Sequence, residues 1–296
     1  MRDPYEISPG PTIARAFWER RLQSLTGFLL FLFLCEHLLT NSQVAFFWGD
    51  EGRGFIAAAD FIHSLPYLPA IEIGVLAVPI GVHVWWGVQY VQKAKYNSQR
   101  SDGRTPSLPF SRNVAYTWQR ITALLLVVGI FLHVAYMRFI KQPEAIERQN
   151  RTEYVAGVSY DPGLATLAPK VDVKVYDAKE ARALSARSED VHWLKAIRKR
   201  TQRADERAVV ADSFGAAFLM VLRDTFRSPF LCCLYSLFVI VAAFHACNGL
   251  WTFTISWGVA LTESARYGFR LLSNVFMYLL IFLGLASIWG AYWVTL

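Results

Sequence analysis

The chain has 296 residues, of which 54% are hydrophobic and 15% aromatic, and its mean hydropathy of +0.28 is above that of typical soluble domains. Its formal net charge of +7 comes from Lys and Arg residues that cluster between apolar runs, which indicates basic loops beside membrane spans and no nucleic-acid partner. The four cysteines lie inside apolar runs without the spacing of a zinc site, so neither structural zinc nor disulfides are expected.

Five apolar runs are long enough to cross a bilayer, which takes about 20 helical residues. They predict an all-α fold, an integral membrane bundle of five transmembrane helices in the lipid bilayer, with a long polar insertion between helices three and four. The N-terminal segment lacks the features of a cleaved signal peptide, and no internal repeat is predicted. The runs lie near residues 22 to 47, 67 to 92, 114 to 140, 229 to 257 and 268 to 295.

Three segments follow from these runs: residues 1–140 with helices one to three, an extramembrane insertion at 141–226, and residues 227–296 with helices four and five. The insertion is polar and shows no apolar core pattern, so no fold is assigned to it and we expect it to tolerate shortening. At its end, apolar residues at helical spacing predict an amphipathic helix in the membrane interface: Phe214, Ala217, Phe218, Val221 and Leu222.

The charges of the short loops predict the orientation. Lys and Arg residues are concentrated in the N-terminal segment and in the 92–113 and 258–270 loops, against Arg53 alone in the 47–66 hairpin. The N-terminus is therefore predicted to be cytoplasmic. Basic residues close to the membrane on the predicted outer side, such as Arg138 and Arg227, oppose this assignment.

Four histidines lie within the predicted spans, where polar groups are costly and often functional. His37 and His133 fall in the outer half of spans one and three, and His83 and His245 fall near the inner side of spans two and four. A haem iron takes two axial ligands from opposite faces, so two tiers of two histidines fit two bis-histidine b-type haems that transfer electrons. The alternative for each histidine is a hydrogen-bonded packing role.

Other residues near these tiers are weaker candidates. A glycine four residues after His83 and another after His245 leave room for a flat macrocycle, although small residues also serve ordinary helix packing. Three arginines at the inner ends of spans one and three are candidates for binding haem propionates, or simply follow the positive-inside rule. They are Arg20, Arg21 and Arg120.

Several motifs, in their order and spacing, resemble the cytochrome b subunit of succinate:quinone oxidoreductase (succinate dehydrogenase/fumarate reductase), of the five-helix dihaem type found in Gram-positive bacteria and relatives. The resemblance implies that His37 and His133 hold the haem far from the soluble subunits, and that His83 and His245 hold the near one. Compact members of that family lack the insertion. The motifs are ERRLQSLTG at 19–27, FIHSLP at 61–66, HVWWG at 83–87, WQRIT at 118–122, LHV at 132–134, SPF at 228–230 and FHACNGLWTF at 244–253.

The resemblance implies a multi-pass subunit of the bacterial cytoplasmic (inner) membrane that anchors a flavoprotein subunit and an iron-sulfur subunit. It would carry two haem b and pass electrons to a membrane quinone, expected to be menaquinone, while succinate oxidation itself resides in the partner subunits. Neither FAD nor iron-sulfur centres are expected in this chain, which has no cysteine ligand set or dinucleotide-binding loop for them.

A quinone site is expected at the outer end of the bundle, with Glu72 or His63 handling protons. Glu72 is equally compatible with a solvated position at the headgroup boundary, and a second location lies near Arg20, Arg21 and Ser24. Two other functions stay open. One is a haem b membrane subunit of another respiratory oxidoreductase, and the other is a haem-free transporter or proton channel.

Overall fold

The computed structural model describes residues 15–46, 50–94, 98, 108, 110–148, 150–185 and 190–294. The chain divides into two compact units, each assembled from three segments. The first unit comprises Met1–Phe33, Ile71–Leu124 and Phe244–Phe276, and the second comprises Leu34–Ala70, Leu125–Ala243 and Met277–Leu296.

The first half of the chain is helical. Two of its membrane spans include π-helical segments, in which each amide bonds the carbonyl five residues earlier. Glu72–Ala77 precedes Pro79, whose ring nitrogen has no hydrogen to donate, so the regular ladder is interrupted at this point. Ala135–Ile140 forms the other π-helical segment. The α-helices are α1 Arg15–Phe46, α2 Arg53–His63, α3 Leu68–Ile71, α4 Val78–Lys93 and α5 Ser111–Val134.

The insertion is folded, and its centre is an antiparallel sheet of four strands in the order β1-β2-β4-β3. Strand β1 pairs with β2 around a tight turn in which Asn150 has a left-handed conformation (φ 64°). Strand β4 then pairs with β2 and β3. The elements in chain order are β1 Glu144–Arg148, β2 Arg151–Ser159, α6 Pro162–Leu167, β3 Lys174–Tyr176, α7 Ala178–Ser185, α8 Val191–Lys199, β4 Glu206–Ala211 and α9 Phe214–Phe226.

Both faces of this sheet are covered by apolar side chains. One face packs on α7 and α8 around Trp193 and Ile197, which are almost fully buried. The opposite face packs on α9 through residues such as Val209 and Leu219. The sequence analysis found no core pattern here because consecutive residues are buried at Val155 and Ala156 of β2 and along 208–211 of β4, so these strands lack the alternation that marks a half-exposed strand.

Helix α9 packs between the sheet and α2, and its position in a membrane interface stays a prediction. Ten of its thirteen residues are buried. A Cβ atom on Gly215 would lie 2.5 Å from the carbonyl oxygen of Ile56 in α2, so only glycine permits this close approach. Asp60 of α2 accepts a hydrogen bond from the Gly215 amide at 2.7 Å and another from the Ser213 hydroxyl at the start of α9.

The last two helices are α10 Pro229–Ser256 and α11 Glu263–Trp293. Within the described part of the chain, five helical spans are long and apolar enough to cross a membrane: Phe17–Ala45, Leu68–Lys93, Ser111–Ile140, Pro229–Ser256 and Glu263–Trp293. Between 6% and 33% of the apolar core of each span is buried within the protein, so most of their apolar surface suits lipid. The predicted fold class is confirmed: the chain is a multi-pass α-helical membrane protein with an insertion after the third span, and the insertion adds a sheet that the sequence analysis did not predict.

Candidate functional site

The first unit brings His83 of α4 against His245 of α10. Their ring centroids are 6.2 Å apart and the ring planes are nearly perpendicular, at 83°. Both side chains are half-buried. Since the two imidazoles come from different helices and face a common space, they can bind one metal ion from opposite sides.

Each of these histidines has a hydrogen-bond partner at Nδ1. The Nδ1 atom of His83 lies 3.1 Å from the carbonyl oxygen of Gln23, which can only accept. The Nδ1 atom of His245 lies 3.2 Å from the Thr122 hydroxyl, and that hydroxyl already donates to the carbonyl oxygen of Trp118 at 2.8 Å. Both contacts therefore select the tautomer with hydrogen on Nδ1 and a lone pair on Nε2, the atom that would face a metal.

Glycine 27 of α1 allows the close approach of α1 to His83. A Cβ atom at Gly27 would lie 2.9 Å from Cε1 of His83 and 3.3 Å from its Nδ1. Such distances are closer than a carbon atom tolerates, so any larger residue would move the imidazole.

The surroundings of His83 and His245 resemble one another. Thr26 follows Gln23 by three residues, as Thr122 follows Gln119, and each pair lies beside one of these histidines. Gln119 donates to the His245 carbonyl oxygen at 3.0 Å. His37 follows Gln23 by fourteen residues, and His133 follows Gln119 by the same number. In α4 and α10, a glycine lies four residues after His83 and four residues after His245.

The second unit brings together His37 of α1 and His133 of α5. Their ring centroids are 5.9 Å apart, at an angle of 81°. The hydroxyl of Tyr235 in α10 lies 3.4 Å from Nδ1 of His133. Asn41 donates to the His37 carbonyl oxygen at 2.7 Å, and its amide nitrogen lies 3.5 Å from Nδ1 of the same histidine.

Both histidine pairs fit a bis-imidazole metal centre in their donor chemistry. Imidazole nitrogen binds metals at about 2 Å, so two imidazoles on opposite sides of one metal place their ring centroids roughly 6 Å apart. Gly87 follows His83 by four residues in the same helix. Among the described residues outside this helix, a Cβ atom placed on Gly87 would have one neighbour within 4 Å, Nε2 of Gln23 at 3.5 Å. Among the described residues, the buried Oε1 of Gln23 has no hydrogen-bond partner, which is costly unless a bound group or water meets it.

The chain is 22% identical over 277 residues to the succinate dehydrogenase cytochrome b558 subunit of Bacillus subtilis, an alignment that covers 93% of this chain and 97% of that protein. The resemblance to succinate dehydrogenase cytochrome b subunits is confirmed. No family model matches the chain. No solved structure matches it.

The three arginines predicted to bind haem propionates all lie in the first unit of the chain. Arg120 is almost fully buried and stacks over Tyr116 at 4.8 Å from the ring centroid. Arg21 stacks over Trp257 at 4.9 Å and donates a hydrogen bond to the carbonyl oxygen of Ser256. Arg20 is exposed. Propionate binding by these residues stays a prediction.

The two residues predicted to handle protons lie in different units. Glu72 begins the π-helical segment of the second span in the first unit and is half-buried. His63 ends α2 in the second unit, where its ring stacks on Phe214 at 4.1 Å and nearly in parallel. A surface cleft of about 230 Å³ is lined by His63 and by Asp60, Ser64, Tyr154, Asp212, Ser213 and Phe214.

The alternative inner location contains a compact polar cluster. Ser24 lies 3.3 Å from the hydroxyl of Ser256 and accepts a hydrogen bond from the Trp257 indole at the same distance. These groups already bind one another. A ligand at this location would therefore have to replace existing hydrogen bonds.

The sequence analysis missed the residues that orient the histidines. Thr122, Gly27 and Tyr235 are each common residue types in helical spans, so none of them is conspicuous alone. The repeated Gln-x-x-Thr spacing ahead of His37 and His133 was the available signal, and an offset comparison of spans one and three would have found it.

Proposed function

We propose that the chain is the dihaem cytochrome b membrane-anchor subunit of succinate:quinone oxidoreductase, and that it transfers electrons between an iron-sulfur subunit and membrane quinone. One observation carries this proposal. Two separate histidine pairs, each from two different helices, have the donor atoms and spacing of bis-imidazole centres. The similarity to a succinate dehydrogenase cytochrome b558 subunit supports the family of complex.

The chain's own residues would bind and orient two b-type haems. The Nε2 atoms of the four histidines would bind the haem irons, and the Nδ1 contacts would orient the imidazole rings. When bound, the haems supply one-electron carriers without an open coordination position for oxygen.

The assembly follows from this function. The chain would lie in the bacterial cytoplasmic membrane with its N-terminus on the cytoplasmic side. A flavoprotein subunit and the iron-sulfur subunit would dock on that side. His83 and His245 would then hold the haem nearer to them, since the sequence places these residues toward the inner ends of spans two and four.

For the quinone we retain Glu72 and His63 as proton-handling candidates at the outer side. Quinone reduction takes up protons, so its site needs titratable groups that reach water. His63 lies in a solvent-open cleft beside Asp60 and Asp212, which satisfies this requirement. Burial raises the pKa of Tyr154 in the same cleft, and the charge of Asp60 adds to the effect.

Purification of the tagged full chain from its native membrane tests this function. We expect it to bring down a flavoprotein and an iron-sulfur protein, to show a Soret band with two haem b per chain, and to reduce quinone with succinate. Glu72→Gln and His63→Ala should lower quinone turnover and leave succinate oxidation by a soluble acceptor unchanged. Normal turnover in both variants would favour the inner location instead.

The outcomes separate the alternatives. Purification with a different dehydrogenase would indicate another respiratory haem b subunit. A preparation without a Soret band would indicate the haem-free transporter or channel.

A further inference from the structure

Tyr235 of α10 contacts both His133 of the outer histidine pair and Phe226 at the end of the insertion. Its hydroxyl lies 3.4 Å from Nδ1 of His133, and the two ring centroids are 5.8 Å apart at 70°. Tyr235 is half-buried.

Tyr235 is held in turn by the end of the insertion. The ring of Phe226, the last residue of α9, meets the Tyr235 ring edge to face, with centroids 5.2 Å apart at 88°. Phe226 is only 5% exposed. Its carbonyl oxygen also accepts a hydrogen bond from the thiol of Cys232 at 3.0 Å, one helical turn before Tyr235.

The end of α9 is itself fixed by charged contacts with the rest of the insertion. Arg223, which is 1% exposed, binds the Asp161 carboxylate through both of its terminal nitrogens. Asp224 accepts a hydrogen bond from the Ser159 amide at 2.9 Å and from Lys141 at 3.0 Å. These contacts fix the end of α9 against the rest of the insertion, and they fix Phe226 with it.

We propose that Tyr235, held in place by Phe226 of the insertion, is the positioning residue for His133 and sets the reduction potential of the outer haem. This inference rests on the proposed dihaem function. With hydrogen on Nδ1 of His133, the Tyr235 oxygen accepts the bond and makes the imidazole more electron-donating. A more electron-donating axial ligand favours the oxidised iron, so the contact lowers the potential.

The other histidine pair has a different arrangement. The Nδ1 partner of His245 is Thr122, whose hydroxyl is fixed by its own helix through the Trp118 carbonyl oxygen. That arrangement requires no residue of the insertion. The insertion would therefore tune the outer haem and leave the inner one unaffected.

Redox titration of the purified complex, followed by its optical and electron paramagnetic resonance spectra, tests the role of Tyr235. Tyr235→Phe keeps the ring and removes the hydroxyl, so the reduction equilibrium of the outer haem should shift threefold to tenfold toward the reduced form. A tenfold change corresponds to about 59 mV for one electron. The matched variant Thr122→Val should shift the inner haem alone. Two haems with unchanged potentials in Tyr235→Phe would overturn the inference and leave the dihaem function standing, whereas a wild type without two haems would overturn that function.

The role of the insertion is tested by two conservative substitutions in α9. Phe226→Leu removes the ring that meets Tyr235, and it should shift the outer haem in the same direction as Tyr235→Phe. Phe218→Leu removes a ring on the same helix that packs on Phe55 and Phe214, so it serves as the control. Equal shifts in the two α9 variants, or none in Phe226→Leu, would show that the insertion does not act through Tyr235.

Discussion

Each candidate haem ligand depends on neighbours that orient it. His83 is fixed by a backbone carbonyl oxygen and is approached so closely by α1 that only glycine fits at position 27. Removing a hydrogen bond that orients a metal-binding imidazole commonly lowers metal affinity by roughly 10-fold to 100-fold. The residues around the imidazoles are therefore expected to contribute to the affinity of the site.

Replacing Gly27 with alanine should weaken the inner haem and spare the outer one. The added Cβ atom would lie 2.9 Å from Cε1 of His83 and force the imidazole to turn. We expect a loss of half or more of the inner haem absorbance in reduced-minus-oxidised spectra. Gly268→Ala is the control, since nothing lies within 4 Å of a Cβ at that position. Full occupancy of both haems in Gly27→Ala would contradict the geometry of this contact.

The histidines could be predicted from sequence, but most of their partners could not. Few ionisable groups lie in the apolar spans, and the helical rise per residue gives the depth of each one in the membrane. These depths grouped His37 with His133 and His83 with His245 as candidate ligand pairs. The structure brings the same residues together, and their role as ligands stays a prediction. The partner of a given Nδ1 atom depends on helix rotation and rotamer, which no spacing rule specifies.

Among the elements, the five spans were predicted closely from the sequence, whereas the strands and helices of the insertion were not. Each predicted span agrees with the observed helix to within a few residues, because about 20 apolar residues in succession have few other folds available. The insertion was predicted as a segment, but its strands and short helices, and α2 before it, were not. Their short elements form a core only by packing on one another, as Gly215 of α9 does against Ile56 of α2.

The ion pair between Asp161 and Arg223 should stabilise the insertion. Arg223 is almost fully buried, and breaking such a pair leaves an uncompensated charge at a cost of about 3–5 kcal/mol. Asp161→Asn should therefore accelerate amide hydrogen exchange in β2 and α9 of the full complex by roughly a hundredfold or more. The control is Glu263→Gln, which removes a carboxylate from an exposed pair with Arg112 and should change exchange little.

The pH dependence of this effect has a definite sign. Burial alone would raise the pKa of Asp161, but hydrogen bonds and charge from Arg223 outweigh it and hold the pKa below the ordinary value of 3.8. The stabilisation is thus fully present above that ordinary value and is lost as the pH falls through the lower pKa of the folded state. Wild type and Asp161→Asn should converge only below about pH 4. Convergence at pH 6 would mean that another group controls the insertion.

For the whole molecule, each compact unit contains one complete histidine pair. The first unit holds His83 and His245 with partners from α1 and α5, and the second holds His37 and His133 with Tyr235 and the insertion. If the pairs hold separate haems, a substitution in one pair should remove the haem of that pair and leave the other haem bound. This independence is a property that neither packing histidines nor a proton channel would produce.

Single replacement of the four histidines with alanine, followed by redox-resolved difference spectra of the purified complex, tests the central claim most directly. His83→Ala and His245→Ala should each remove one haem component, and His37→Ala and His133→Ala should each remove the other, with the remaining component at least half retained. Loss of the same component in His83→Ala and His37→Ala, or four unchanged spectra, would contradict the assignment of two bis-histidine haem sites.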